Sequence, residues 1–393
     1  MQQAIKMVDL AKQQNLIRPN LEQAISEVLN NGNYILGKQV FELEEKLAKF
    51  CQADFAVSCA SGTDALEIVL KAKQVTSKDA IFIPAFTYTA TAGAVVLAGA
   101  TPVFVDVLPD SFNLDPNSLE QAITVAKQHN LHPAGIISVD LFGLPADYQR
   151  INNLAKMHNL WLLCDAAQSF GARYQGAKVG NFGIATATSF FPSKPLGCYG
   201  DGGCIFTNDA ELADAFKSLR MHGAKILQGV ADKYNNVRVG MNSRLDTMQA
   251  VVLLVKLNIF EQEIKLRNQV AEYYNQLFTE VFADQQQLSW PVIPNGYDSV
   301  WAQYTIKLST NLINNKLTNQ QLQAELKAGG VPSVIYYSKP ISAQAPYAHF
   351  PQVDLFTAEQ LSNQVLSLPM HPYLTRDQQQ YIVNQVAAIL SKY

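Results

Sequence analysis

Between residues 50 and 210 the chain alternates two kinds of hydrophobic pattern. Short runs that are apolar at nearly every position, "DAIFIPA", "TPVFVDV", "AGIISVDLFG" and "LWLLCDAAQ", are separated by stretches such as "TYTATAGAVVLAG" and "ADYQRINNLAKMHN" that have the length and pattern of helices. Strands without a polar face suit a parallel sheet covered by helices on both sides, so the pattern predicts an α/β core. The uncharged stretch from Ala80 to Val105 could be mistaken for a membrane span. Pro84 and Pro102 interrupt it and small or hydroxylated residues fill its middle, so strand, helix, strand is the better reading.

After residue 250 the pattern changes. "MQAVVLLVKLNIFEQEIKLRNQVAEYYNQLFTEVF" predicts one long helix, "SVWAQYTIKLS" a strand, and residues 318–328 and 376–392 two further helices. The chain is therefore expected to form a large α/β domain over residues 1–250 and a smaller C-terminal α+β domain over residues 251–393. No repeat or low-complexity segment interrupts either part, although Gln and Asn are frequent.

Composition narrows the functions open to such a fold. With 48% hydrophobic and 16% charged residues and a net charge of -3, the chain exerts no bulk attraction on nucleic acid or membrane. An anionic ligand must be held by a local site. Cys51, Cys59, Cys164, Cys198 and Cys204 are odd in number, form no CxxC pair and have no histidine at metal-ligand spacing. Reduced thiols in a cytoplasmic protein, with no metal centre, are the expectation. The polar opening "MQQAIKMVDLAKQQ" reads as neither a signal nor a transit peptide.

In open parallel sheets ligands sit beyond the carboxyl ends of the strands, and four such places carry complementary groups. In "SCASGTDALEIVLKA", Ser61, Gly62 and Thr63 stand where a helix begins, and its free N–H groups attract a phosphate, although the same triplet is also an ordinary helix cap. In "LWLLCDAAQSFGA", Asp165 ends an apolar strand, where a carboxylate is costly unless it meets a cation or caps a turn. In "SFFPSKPLGCYGDGG", Lys194 lies among Phe190, Phe191, Pro192, Pro195 and Leu196; an amine held partly out of water has a lowered pKa and becomes a nucleophile toward carbonyls. Ser189 precedes that lysine, and Asp201 either orders the glycine loop or faces solvent. In "PAFTYTAT", Phe86 or Tyr88 could lie on a flat ring. Each feature has a bland reading of its own. Together they supply an amine for an aldehyde, a carboxylate for a ring nitrogen, an anion site and a stacking aromatic, the requirements of pyridoxal phosphate. A dehydrogenase or other nucleotide-binding module would need a G-x-G-x-x-G or Walker-type loop, and neither is present.

These motifs, with "GKQVFELEEKLAKF", "DLFGLPAD", "RMHGA", "GMNSRLDTMQA" and "LSLPMHPYL", resemble over nearly the whole chain the sugar aminotransferases of the DegT/DnrJ/EryC1/StrS type. The resemblance implies the aspartate aminotransferase fold (fold type I), with a mainly parallel sheet and a smaller C-terminal α+β domain. It implies that Lys194 bonds the cofactor's aldehyde and, once freed, moves the proton, and that Asp165 keeps the pyridine nitrogen protonated. Gln168 would meet the ring's phenolic oxygen, Tyr88 would stack on the ring, and Gly62, Thr63 and Ser189 would bind its phosphate. Asn242 would reach that phosphate from the neighbouring subunit of a homodimer, and Arg244, Tyr336 and Tyr337 would face the substrate. His222 and His371 match family motifs but are expected to be structural.

Within the family the nearest pattern is that of transaminases acting on UDP-2-acetamido-2-deoxy-3-oxoglucuronate with glutamate as donor, in O-antigen synthesis. A dTDP-3-oxo-6-deoxyhexose 3-aminotransferase is the alternative. A dehydrating relative would tend to replace the lysine with histidine, so Lys194 argues against it. Where relatives often read His-Tyr-Pro, this chain has Tyr336 in the histidine's place and Ser338 in the proline's. A phenol keeps a hydrogen-bond donor but loses a group that titrates near neutral pH.

Overall fold

The computed structural model describes residues 4–227, 230–282, 287–314 and 317–393. The apolar runs become a seven-stranded sheet: β1 (Phe55–Cys59), β2 (Asp79–Pro84), β3 (Thr101–Val105), β4 (His132–Val139), β5 (Trp161–Asp165), β6 (Ala185–Ser189) and β7 (Gly203–Thr207). Their order is β1-β7-β6-β5-β4-β2-β3. From β6 to β3 every pairing is parallel, whereas β7 runs antiparallel to both its neighbours. All of β7 is buried, as are all but the first residues of β2 and β5, because helices cover both faces of the sheet.

The helices are α1 (Leu10–Asn31), α2 (Lys38–Cys51), α3 (Gly62–Ala72), α4 (Ala90–Leu97), α5 (Pro116–Gln128), α6 (Tyr148–Met157), α7 (Ala210–Leu219) and α8 (Thr247–Val281). Several start on the side-chain caps their sequences offer: Ser61 accepts from Asp64 N at 3.1 Å, and Asp209 from Glu211 N at 2.8 Å. Such a cap satisfies amides that the helix itself leaves without partners.

Register decides where the chemistry goes. Val139 pairs with Asp165, and Asp165 with Ala187, so β4 and β5 end at one level and β6 runs two residues further. Asp140, the turn at Ala166–Ser169 and the loop after Ser189 therefore leave the sheet along one edge.

A second core forms beyond residue 270, where Val270, Tyr274 and Phe278 of α8 pack with Tyr304, Ile306, Leu366, Leu368 and Ile382. Its sheet joins Leu288–Ser289, Tyr304–Leu308 and Val365–Leu368, all antiparallel, with helices at Asn319–Ala328 and Arg376–Leu390. Fully burying each large aromatic there contributes about 1.5–3 kcal/mol and anchors the far end of α8; at its near end Ala250, Leu253 and Phe260 join another buried cluster. The segment after Val331 returns to the main core, with Ile341 N donating to Ala85 O at 2.9 Å. That return carries Tyr336 and Tyr337 over the sheet edge.

The α/β fold class expected from the hydrophobic pattern is borne out. One strand is shorter than expected: in "SVWAQYTIKLS" only Tyr304–Leu308 pairs. Upstream, Val300 N and Ser299 Oγ donate to Gly143 O at 3.1 and 3.0 Å, and Trp301 turns to φ 52°, so that end serves the loop after β4 instead of the sheet. The five cysteines are free and buried. Among the described residues no helix is long and apolar enough to cross a membrane.

Candidate active site

Asp165 is 7% exposed at the end of β5. Burial raises its pKa above the ordinary carboxylate value; a hydrogen bond from Ala167 N at 3.1 Å, the charge of Lys194 and a bond from Thr91 Oγ1 at 3.4 Å pull it back. Lys194, half-buried in the loop after β6, shows the mirror effect. Desolvation lowers the pKa of its amine, and the Asp165 carboxylate opposes the fall. The two groups expected to bracket the cofactor ring therefore stand close enough to feel each other's charge.

Around them the structure gathers most of the other expected residues. Gln168 is buried; its Oε1 accepts from Phe142 N at 2.7 Å and its Nε2 donates to the Tyr337 hydroxyl at 3.2 Å. Burial raises the phenol pKa of Tyr337, which stays a neutral donor and acceptor at ordinary pH. The Tyr337 ring meets Phe86 edge-on at 5.8 Å and Tyr88 at 6.5 Å. Of the two aromatics left open by the sequence, Phe86 is 1% exposed in the core, whereas Tyr88 is 59% exposed at the sheet edge, where a flat ring could lie against it. Tyr336 is half-buried, 5.7 Å from Tyr337 ring to ring.

The anion site has a specific shape. A Cβ on Gly62 would lie 2.6 Å from Ser189 Cβ, so the start of α3 touches the end of β6 and only glycine permits that approach. The N–H groups of Gly62 and Thr63 belong to the first turn of α3, have no carbonyl inside the helix to bond, and carry its positive dipole end.

Three expected residues are not joined to this group within the chain. Asn242 is exposed and bridges only to Met221; Arg244 is half-buried; neither hydrogen-bonds to the other site residues among those described. Asp201 is exposed. His371 is buried; its ring accepts from Tyr373 N at 3.2 Å, and burial lowers its pKa to about 4.

Reading the sequence missed Thr91 and the acid one strand over, Asp140. Asp140 is fully buried and accepts from Tyr148 Oη and Ser169 Oγ, each at 2.5 Å, and from Ala146 N at 2.9 Å, while its own N–H donates to Asp165 O at 3.1 Å. A strand-end acid in "DLFGLPAD" was the available signal. Thr91 offered none, since its bond to Asp165 depends on how α4 sits on the sheet.

Pyridoxal phosphate fits these groups. The close approach of Gly62 to Ser189 sets the free N–H groups at the start of α3 beside the end of β6, where they would hold an anion, and Asp165, desolvated with one nearby cation, suits a protonated ring nitrogen.

Comparison with known proteins agrees. The profile of the DegT/DnrJ/EryC1/StrS aminotransferase family matches residues 15–387. A UDP-2-acetamido-2-deoxy-3-oxo-D-glucuronate aminotransferase from Pseudomonas aeruginosa is 45% identical over 370 residues, 94% of this chain and 96% of its own. The crystal structure of a DegT DnrJ EryC1 StrS aminotransferase from Brucella abortus superposes with a TM-score of 0.91 at 44% identity, covering 98% of this chain and 99% of the other. That of S. venezuelae DesV in complex with a ketimine intermediate gives 0.89 at 33% identity, covering 99% of each chain. The chain thus belongs to the DegT/DnrJ/EryC1/StrS aminotransferase family and is a pyridoxal phosphate-dependent sugar aminotransferase of fold type I.

Proposed function

We propose that the protein moves an amino group from glutamate to the 3-keto carbon of UDP-2-acetamido-2-deoxy-3-oxo-D-glucuronate, in the cytoplasm, for a bacterial O-antigen or related surface polysaccharide, as a homodimer with shared sites. The chemistry rests on one observation: a desolvated amine, a desolvated carboxylate and a helix start that Gly62 brings against the end of β6 share one edge of the sheet. The choice of sugar rests on likeness to the P. aeruginosa enzyme.

When bound, the cofactor supplies an aldehyde that accepts amines and a protonated ring that draws electrons from the carbon beside the amine nitrogen. Asp165 maintains that proton by its charge. Lys194, whose amine burial makes easier to deprotonate, would serve as the base that takes up and returns a proton once its amine is free. Gln168, fixed by Phe142 N, would hold the ring's phenolic oxygen, and Tyr88 would lie against the ring. Gly62, Thr63 and Ser189 hold the phosphate, joined by Asn242 of the partner subunit. Arg244 binds the uronate carboxylate, with Tyr336 and Tyr337 against the sugar. Residues 1–250 supply the cofactor site and residues 251–393 the smaller unit that closes over it.

Because glutamate would give up its amine and leave as 2-oxoglutarate before the keto sugar takes the amine up, kinetics should be ping-pong. The decisive assay supplies glutamate with either the UDP-linked 3-keto uronate or a neutral dTDP-linked 3-keto-6-deoxyhexose and measures 2-oxoglutarate. Formation with the uronate is expected; formation with the dTDP sugar alone rejects the assignment.

A further inference from the structure

Helix α8 buries a lysine that the site does not use. Lys256 is 1% exposed; its ammonium donates to Gly197 O at 2.6 Å and stands 4.2 Å from the centre of the Tyr199 ring. Burial lowers its pKa to about 8, against the opposing charge of Glu263. Gln249 and Glu263 lie seven residues before and after it, on the same face of the helix. Gln249 grips the same loop: its Oε1 accepts from Tyr199 N at 2.8 Å and its Nε2 donates to Tyr199 O at 3.3 Å.

Burying an ammonium is costly, and an apolar side chain of similar length would fill the space at less cost. What the charge secures is a backbone position. The loop it holds is tight: Cys198 N donates to Phe190 O at 2.8 Å, Lys194 N to Phe191 O at 2.9 Å, and a Cβ on Gly197 would lie 2.5 Å from Pro192 O. Such a loop moves as a unit, so a shift at Gly197 displaces Lys194.

We propose that Lys256, backed by Gln249, is a positioning residue for Lys194: the two side chains tie the Gly197–Tyr199 backbone to α8 and thereby hold the Lys194 amine toward Asp165. The proposal rests on the reading of Lys194 as the residue that bonds the cofactor's aldehyde.

The test compares the affinity of the apoprotein for pyridoxal phosphate, which Lys194 can bond, with that for pyridoxamine phosphate, which it cannot. The wild type should prefer the aldehyde, and Lys194→Ala should lose that preference; if the wild type shows none, the reading of Lys194 fails and the proposal with it. In Lys256→Met, affinity for the aldehyde should fall at least about tenfold while that for the amine stays within about twofold, and Lys256→Arg should restore most of the loss. Equal weakening of both forms, as a merely structural lysine would cause, or no change in either, overturns the proposal while leaving Lys194's own role intact. Should Lys256→Met not fold, Gln249→Leu decides by the same comparison.

Discussion

Asp140 and Asp165 end adjacent parallel strands, and desolvation acts on both; what differs is the company each keeps. Asp165 faces the cation of Lys194 and would face a protonated ring. Asp140 meets only neutral donors and feels the like charge of Asp165, and burial raises its pKa from 3.8 to about 7. A carboxyl whose pKa is raised on folding adds stability that is complete below its unfolded pKa and disappears as pH rises through the folded value, here across the window from 3.8 to about 7. Asp140→Asn removes that dependence. Its melting temperature relative to wild type should therefore climb between pH about 5 and about 8, and parallel profiles would contradict this. By holding Ser169, next to Gln168, and Ala146, beyond the Phe142 turn, Asp140 braces both elements that position Gln168. Nothing at the level of single residues in the sequence separates this acid from Asp165. Both are strand-end aspartates after apolar runs, and only their neighbours across space tell a cofactor partner from a brace.

Among the elements, the pairing of α3 with β6 is the one the chemistry depends on. Gly62→Ala would push a methyl group onto Ser189, and the start of the helix must then move away from the strand end. Affinity for the aldehyde and the amine forms of the cofactor should fall together, at least about tenfold, because the phosphate contact is common to both; absorbance titration of the apoprotein would show it, and unchanged binding would mean the phosphate lies elsewhere. That joint loss contrasts with the selective loss expected when the lysine loop is released from α8. Strand and helix identities were legible wherever the apolar period was long, as in β2, β4, β5 and α8. They were not legible at "SVWAQ", where apolar residues serve a turn contact with Gly143, since periodicity records burial and not the partner that causes it.

At the scale of the molecule, the placement of Asn242 and Arg244 matters most. Neither hydrogen-bonds to the other site residues among those described, and in the proposed homodimer Asn242 would complete the partner's site. Mixing Lys194→Ala with Asn242→Asp, each inactive alone, should then restore about a quarter of wild-type activity, since half the dimers are mixed and one of their two sites is intact. No recovery after subunit exchange would place Asn242 outside a shared site. The amino-acid sequence alone determined the α/β class and the cofactor, and it singled out the lysine, the acid and the helix start as candidates. Those follow from local patterns: strand runs without a polar face, the residues that end them, and caps that act within a few positions. Only the tertiary structure decided that Tyr88 and not Phe86 borders the site, that Thr91 bonds Asp165 and Asp140 braces the elements around Gln168, and that Lys256 grips the lysine loop. Each of these depends on side chains distant in the chain meeting across packed layers, and desolvation, which sets their chemistry, exists only once those layers have closed.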